Sequence, residues 1–171
     1  MVLCRRTAGG DQLAFRELVR RHEHRLRSFL RHLAGPQLGD ELAQECFIKA
    51  WQSAGQFRSE ANYLSWLCAI GWRCFVDHAR RERRETRKAE ALSSSSSSIE
   101  LAAPGHDQQL DLARALALLT PEERASLILC EGEGWSHNEA SEILRVPLGT
   151  LKGTIMRAKK KCREALEAVS Q

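Results

Sequence analysis

Basic side chains are concentrated near the C-terminus of this sequence in a pattern that suits contact with DNA. From Lys152 to Arg163 there are six cations and no acidic residue. Cationic and polar side chains near the start of a helix can reach base edges in the major groove, and neighbouring cations neutralise phosphates. A charge run of this kind is also typical of a solvated helix face. The side chains predicted to contact DNA here are Thr150, Lys152, Thr154, Met156, Arg157 and Lys160.

The residues before this run predict a helix-turn-helix, which favours DNA binding over a solvated face. Residues 120–123 and 136–139 form two capping boxes, each a hydroxyl residue followed three positions later by Glu. A turn with Gly132, Gly134 and Trp135 separates them, and the last helix is predicted from about Leu148 to Val169. Ser136, which starts the helix before it, joins the predicted DNA contacts.

A cluster of acidic and amide side chains in the N-terminal half favours docking of a basic partner. Acids one turn apart repel each other on an isolated helix, so they are poor stabilising pairs. An ordinary hydrated helix face is the alternative explanation. The residues of this predicted docking face are Asp40, Glu41, Gln44, Glu45 and Lys49.

The segment from Tyr63 to Lys88 combines aromatic residues with a basic tract that includes Arg80 and Arg81. Single-stranded or partly melted DNA is bound by aromatic rings that stack on bases and by cations that neutralise phosphates. Core packing is the competing explanation for most of these rings, and at Trp72 both explanations remain open.

The chain as a whole predicts an all-α protein with two small helical domains joined by a flexible linker. Apolar residues between Phe15 and Leu33 recur with helical spacing, and no useful β-alternation appears. Six serines at 93–98, followed by Pro104 and Gly105, are typical of a linker. We predict a domain at 1–92, a linker at 93–107 and a helix-turn-helix domain at 108–171.

Composition argues against several classes of protein. The net charge of +4 is mildly basic, and no apolar run approaches the length of a membrane span. The N-terminal stretch lacks the apolar region of a signal peptide, so we expect a soluble, cytoplasmic protein. Six cysteines without zinc-site spacing predict reduced core thiols, no metal and no cofactor. No nucleophile or acid pair indicates catalysis, so we expect that the protein is not an enzyme.

Taken together, these segments resemble the extracytoplasmic-function (ECF) sigma factors of the sigma-70 family. Residues 38–51 are similar to the region of that family that binds the polymerase clamp. Residues 57–61 and the helix after them, including 76–81, resemble its −10 recognition loop and helix. Residues 119–124, 133–136 and 146–152 resemble its C-terminal domain. The similarity spans nearly the whole chain in the family's order.

The resemblance implies a sigma factor that binds the clamp and flap of core RNA polymerase, recognises promoter DNA and directs transcription initiation. It also implies an anti-sigma partner in a stress response, and no direct membrane insertion. The docking face at 40–49 would contact the polymerase clamp, and the last helix with Ser136 would contact the −35 element. The implied −10 contacts are Arg58, Ser59, Asn62, Trp72, Arg73, His78, Arg80 and Arg81.

The sequence departs from the family's usual residues at three places. Gly153-Thr154 stands where Ser and Arg are common, which predicts an unusual or weaker −35 preference. Gly71-Trp72-Arg73 replaces the commoner small residue and Asn, which puts the choice of −10 base in question. Glu41 stands where Asp is commoner.

Two functions from other classes remain as alternatives. A sigma-like decoy would bind an anti-sigma factor without reading DNA, but it would not need the cations at 152–163. A simple helix-turn-helix repressor would leave both the acidic docking face and the linker unexplained.

Overall fold

The computed structural model describes residues 2–57, 62–90 and 114–169. Within these ranges the chain contains helices and turns and no strand. The helices are α1 (Val2–Ala8), α2 (Gln12–Ala34), α3 (Pro36–Gln52), a 3-10 turn (Ala54–Gln56), α4 (Tyr63–Glu90), α5 (Pro121–Leu127), α6 (His137–Leu144) and α7 (Leu148–Val169). The predicted all-α class is confirmed. The predicted linker at 93–107 lies outside the described residues, and the domain limits on either side of it remain predictions.

Side chains at the helix starts explain where several of these helices begin. The carboxylate of Asp11 accepts hydrogen bonds from the backbone N–H groups of Leu13 and Ala14 and so caps α2. Asn62 accepts from the backbone N–H of Leu64 at the start of α4. Both predicted capping boxes, at Thr120 and Ser136, are confirmed in full. Helix α1 was not predicted from the sequence.

Helices α2 and α3 lie unusually close together at Gly39. A Cβ atom at Gly39 would lie 2.6 Å from both the backbone N and the Cα of Arg31. Glycine is therefore required there by a close backbone approach. The approach brings the side chain of the next residue, Asp40, to Arg31, with Arg31 Nη2 at 2.6 Å from Asp40 Oδ2.

The N-terminal core is built from the apolar faces of α2, α3 and α4. Leu26, Phe29 and Leu30 of α2 are fully buried in it. The thiol of Cys46 donates to the carbonyl oxygen of Leu67 at 3.3 Å, which joins α3 to α4. Like Cys46, Cys4, Cys68 and Cys74 are buried, as expected for core thiols, whereas Cys130 and Cys162 are only partly buried. Burial raises the pKa of Cys68 to about 12 and keeps it a neutral thiol.

The C-terminal helices pack against the N-terminal ones, with α6 against α4 and the C-terminal extension of α5 against α2. This extension is a π-helical turn, Ile128–Gly132. Arg25 Nη2 donates to the carbonyl oxygen of Glu133 at 2.9 Å, and its guanidinium lies 4.9 Å from the ring centroid of Trp135. Ser28 donates to Glu133 Oε1 at 2.6 Å. The buried apolar residues of the two parts consequently form one continuous cluster.

Candidate nucleic-acid interface

One side of α7 presents a line of exposed residues suited to a DNA groove. Gly149, Lys152, Met156 and Lys160 are exposed at spacings of three and four residues, so they share one face of the helix. Met156 is 71% exposed, which is unusual for an apolar side chain. Thr150 and Arg157 are also exposed. The structure therefore brings together five predicted −35 contacts: Thr150, Lys152, Met156, Arg157 and Lys160.

Other cations of the basic run are engaged with acids of the neighbouring helices. Lys159 Nζ lies 2.8 Å from Glu131 Oε1, and Lys161 Nζ lies 2.8 Å from Glu123 Oε2. These two lysines hold α7 against the α5 segment. The run of six cations thus divides between packing of the domain and the exposed face. Sequence spacing alone did not reveal this division.

Glu123 is the most deeply placed acid of this packing. It is buried, and its carboxylate also accepts the backbone N–H of Thr120 in the capping box. Burial alone would raise its pKa, but the bonds from Lys161 and Thr120 outweigh burial and hold the pKa below its usual value. The charged carboxylate is thus stabilised in the folded protein.

Acidification is expected to weaken the C-terminal helices through Glu123. Because its pKa is lower in the folded state, its contribution is complete above the unfolded-state value of 4.5 and is lost as the pH falls through the folded-state value. Glu123→Gln should cost about 1–3 kcal/mol near neutral pH, since it weakens bonds to a charged partner. In thermal unfolding across acidic pH, its Tm should fall less steeply than that of the wild type. The exposed Glu164→Gln should follow the wild type, and equal pH slopes for Glu123→Gln and wild type would contradict this role.

The other two predicted −35 contacts, Thr154 and Ser136, have hydroxyl groups that are engaged in hydrogen bonds within the protein. Thr154 is only 8% exposed, so its side chain is not on the outer face of α7. Its hydroxyl donates to the carbonyl oxygen of Thr150 at 2.9 Å and accepts from Arg157 Nη2 at 3.1 Å. The Ser136 hydroxyl is exposed, but it is bonded to the backbone and side chain of Glu139 as the cap of α6. Helical spacing placed Thr154 near the groove but did not show that it points inward.

The predicted docking face lies along α3 and is partly neutralised by ion pairs. Glu41 and Gln44 are exposed on one side of the helix. Glu45 is paired with Lys49 at 2.7 Å. Asp40 is bonded to Arg31 and Arg27, and these bonds, chiefly that with Arg31, lower its pKa. Glu41 is therefore the exposed acid of this face for which the structure shows no ion pair within the described residues.

An exposed isoleucine, which the sequence pattern did not indicate, extends this face by one turn. Ile48 is 59% exposed and lies four residues after Gln44 on the same side of α3. It borders an open apolar hollow of about 360 Å³ that is lined by Gln12, Phe15, Phe47, Ile48 and Trp51. An exposed large apolar side chain beside an apolar hollow is typical of a contact surface for another protein.

The predicted −10 residues are distributed along α4 with different exposures. Arg73, Arg80 and Arg81 are exposed, and His78 is half-buried. Arg58 and Ser59 lie outside the described residues, and Asn62 is the exposed cap of α4. Trp72 is 8% exposed and stacks on Phe75 with ring centroids 5.7 Å apart. Its ring therefore lies in the buried cluster in this conformation.

Residues of the contact between the two parts were not found from the sequence. Arg25, Ser28, Glu133 and Trp135 are far apart in the chain and carry no motif together. Arg124 adds a bond from Nη1 to the carbonyl oxygen of Leu33 at 3.2 Å. Beside this contact a cleft of about 630 Å³ combines apolar and cationic walls. Its lining includes Leu33, Leu38, Phe75, His78, Arg83, Arg87 and Arg124.

No helix in the part of the chain that the structure describes is long and apolar enough to cross a membrane. Within residues 2–57, 62–90 and 114–169, no group of three or more His, Cys, Asp or Glu side chains could hold a metal ion.

Comparison with known proteins agrees with this arrangement of helices and surfaces. Residues 18–85 match sigma-70 region 2, and residues 109–162 match sigma-70 region 4. The ECF RNA polymerase sigma factor SigE of Mycolicibacterium smegmatis is 35% identical over 93% of this chain, which spans 65% of that relative's length. The RNA polymerase sigma factor CnrH of Cupriavidus metallidurans is 31% identical over 99% of this chain and 95% of its own.

A solved structure extends the comparison to the fold. The sigma factor RpoE of Bartonella quintana, in complex with the anti-sigma factor NepR, superposes with a TM-score of 0.74 at 28% identity. The match covers 90% of this chain and 96% of that one. Both sigma-70 regions are matched in order, and the two relatives named are more than 30% identical to this chain. The chain belongs to the ECF group of the sigma-70 family of RNA polymerase sigma factors.

Proposed function

We propose that this sigma factor binds core RNA polymerase, recognises a two-part promoter and directs transcription initiation. One observation supports the proposal. Each of the two matched regions presents an exposed surface whose charge and polarity suit its proposed partner. Region 2 has the α3 face around Glu41, and region 4 has the cationic face of α7. The role is regulatory, with no catalytic chemistry of its own, and is exercised in the cytoplasm, where the polymerase and the promoters are found.

The polymerase surface is centred on Glu41 and Gln44 and extends to Ile48. Glu41 supplies the charge, because Asp40 and Glu45 are already paired with arginines and Lys49. Ile48 supplies apolar area that a partner would bury. A basic helical surface with apolar side chains would complement both the charge of Glu41 and the apolar area of Ile48. We propose that the polymerase clamp offers such a surface.

The −10 element would be bound along α4 by its exposed cations. Arg73, Arg80 and Arg81 can neutralise phosphates of the melted strand. Trp72 would reach a base only in a conformation that uncovers its ring. We therefore propose that the arginines provide the −10 contacts available in the conformation described here, and that Trp72 contributes after the helices rearrange.

The −35 element would be bound by the exposed face of α7. Arg157→Ala should weaken binding of the preferred −35 duplex by about 1–3 kcal/mol and relax selectivity at one position. The physical reason is the loss of a guanidinium that can bond bidentately to a guanine edge. Binding should be measured by fluorescence anisotropy on the preferred duplex and on single-base variants of it. An equal loss on every sequence would instead identify Arg157 as a phosphate contact.

An anti-sigma factor is proposed as a further partner, in line with the complex known for the Bartonella quintana relative. The cleft between α4 and α5 supports this proposal. Its lining includes the apolar residues Leu33 and Phe75 and the exposed cations Arg83 and Arg87. An amphipathic helix with acidic residues would complement both its shape and its charge.

Gel filtration with bacterial core RNA polymerase, in the absence of DNA, tests the central proposal. We expect the protein to co-elute with the polymerase at a one-to-one ratio. If the folded protein fails to co-elute, the proposal is overturned in favour of a sigma-like decoy or a repressor. DNA binding by the free chain would then separate those two, because only the repressor would bind a duplex.

A further inference from the structure

We propose that Thr154 is a positioning residue for Arg157. Its buried hydroxyl fixes the guanidinium over the first turns of α7, where a base of the −35 element would lie. The inference rests on the proposed function of α7 and deepens it. Thr154 would not touch DNA. It would set the direction in which the N–H donors of Arg157 point, and would thereby contribute to the choice of base in the −35 element.

The bonding pattern of the Thr154 hydroxyl supports this role. A hydroxyl has one proton to donate and two lone pairs that accept. The proton is used on the carbonyl oxygen of Thr150 at 2.9 Å, which leaves the lone pairs of the hydroxyl free to accept. Arg157 Nη2 donates to this oxygen at 3.1 Å. The backbone of α7 thus orients the hydroxyl, and the hydroxyl orients the guanidinium.

The guanidinium of Arg157 also lies close to the backbone at Gly153. A Cβ atom built on Gly153 would lie 3.6 Å from Arg157 Nη1, so the guanidinium rests close to the backbone there. Side chains on a helix lean toward its N-terminus, which is the end of α7 that a groove would receive. The bond to Thr154 uses Nη2, and other donors of the fork remain for a base edge.

The structure offers a physical explanation for the chain's departure from its family's usual residues at positions 153 and 154. Gly153-Thr154 stands where Ser and Arg are common, and the sequence alone indicated only an unusual or weaker −35 preference. In the structure Thr154 instead bonds another arginine, Arg157, whose guanidinium lies close to Gly153. A side chain held in one orientation loses less conformational entropy on binding, so affinity is retained with fewer contacts.

A hydroxyl bonded to the carbonyl four residues earlier is also common in helices with no functional role. The two possibilities differ in one respect. A local helix contact would affect binding whether or not Arg157 is present, whereas a positioning residue acts only through Arg157. A double-mutant cycle measures this difference.

The experiment compares the wild type, Thr154→Val, Thr154→Ser, Arg157→Ala and the double variant Thr154→Val/Arg157→Ala, each as holoenzyme with core polymerase. The DNA is a promoter duplex that the wild-type holoenzyme enriches from a library randomised at the −35 element, together with its single-base variants. Valine matches threonine in shape but has no hydroxyl, and serine keeps the hydroxyl. Circular dichroism and the Tm confirm that each variant is folded.

Thr154→Val is expected to reduce discrimination at one −35 position by roughly three- to tenfold, part of the value of a bidentate contact. Thr154→Ser should retain discrimination, and the salt dependence should be unchanged because phosphate contacts are kept. Adding Thr154→Val to Arg157→Ala should have no further effect. Equal losses with and without Arg157, or no loss at all, would overturn the proposal.

Two other results would overturn parts of the proposed −35 function itself and not only the role of Thr154. If Arg157→Ala leaves discrimination unchanged, Arg157 does not contact a base, and both its role in base selection and the role of Thr154 are overturned. If the wild-type holoenzyme enriches no −35 sequence, the −35 function of α7 fails as a whole. The three failures are therefore distinguishable in one set of measurements.

Discussion

Gly39→Ala is expected to lower the free energy of unfolding by about 3 kcal/mol, a large loss for one methyl group. The new Cβ would lie 2.6 Å from two backbone atoms of Arg31 and 2.8 Å from the carbonyl carbon of Leu30. Backbone atoms in the last turns of α2 cannot turn aside as a flexible side chain can. The helices α2 and α3 must therefore separate, and the apolar contacts around Leu30 loosen along their length.

Urea unfolding followed by circular dichroism measures this effect, and two other glycines provide matched controls. At Gly71 a Cβ atom would meet Leu26 and Leu30 side-chain atoms at 3.3–3.4 Å, so Gly71→Ala should cost less. At Gly149 nothing lies within 4 Å, and Gly149→Ala should be neutral or slightly stabilising through helix propensity. A loss below about 1 kcal/mol for Gly39→Ala would contradict the close approach of α2 and α3.

Glu41→Lys is expected to weaken binding to core polymerase by roughly 30-fold or more, because it reverses the charge at the centre of the docking face. Glu41 is the better target than Glu45, whose carboxylate is already bonded to Lys49 at 2.7 Å. The side chain is exposed and lies beside Gln44 on α3, so the fold should tolerate the change. Affinity should be measured by fluorescence anisotropy of the labelled protein titrated with core polymerase.

Glu85→Lys is the matched control, since it makes the same charge reversal at an exposed position of α4. It should leave the affinity for core polymerase nearly unchanged. Ile48→Ala should give an intermediate loss, because it removes apolar area at the edge of the same face without altering charge. Unchanged affinity for Glu41→Lys would remove the α3 face from the proposed polymerase surface.

Local signals in the sequence were sufficient for most of the secondary structure. Asn62, Thr120 and Ser136 each offer an oxygen to the free backbone N–H groups of a helix start, and helices begin directly after all three. The start and end predicted for the last helix, Leu148 and Val169, agree with the structure. Helix α1 escaped prediction because its seven residues carry little periodicity.

The exposed face of α7 could also be predicted, but the role of each cation in the run could not. Spacing along a helix indicates which residues share a side, and Lys152, Met156 and Lys160 do. Whether a lysine contacts solvent or an acid depends on the neighbouring helix. Lys159 and Lys161 meet Glu131 and Glu123, which lie roughly 30 to 40 residues earlier in the chain.

The sequence by itself determined the helical class, the capped helix starts and the surfaces of α3 and α7, because each depends on residues within a few turns of one another. Only the tertiary structure decided that Trp72 and Thr154 are buried and that Arg25 meets Glu133 and Trp135. Burial and pairing of this kind arise where helices distant in the chain come together. Periodicity gives the side of a helix on which a residue lies, and the packing of the other helices decides what that side contacts.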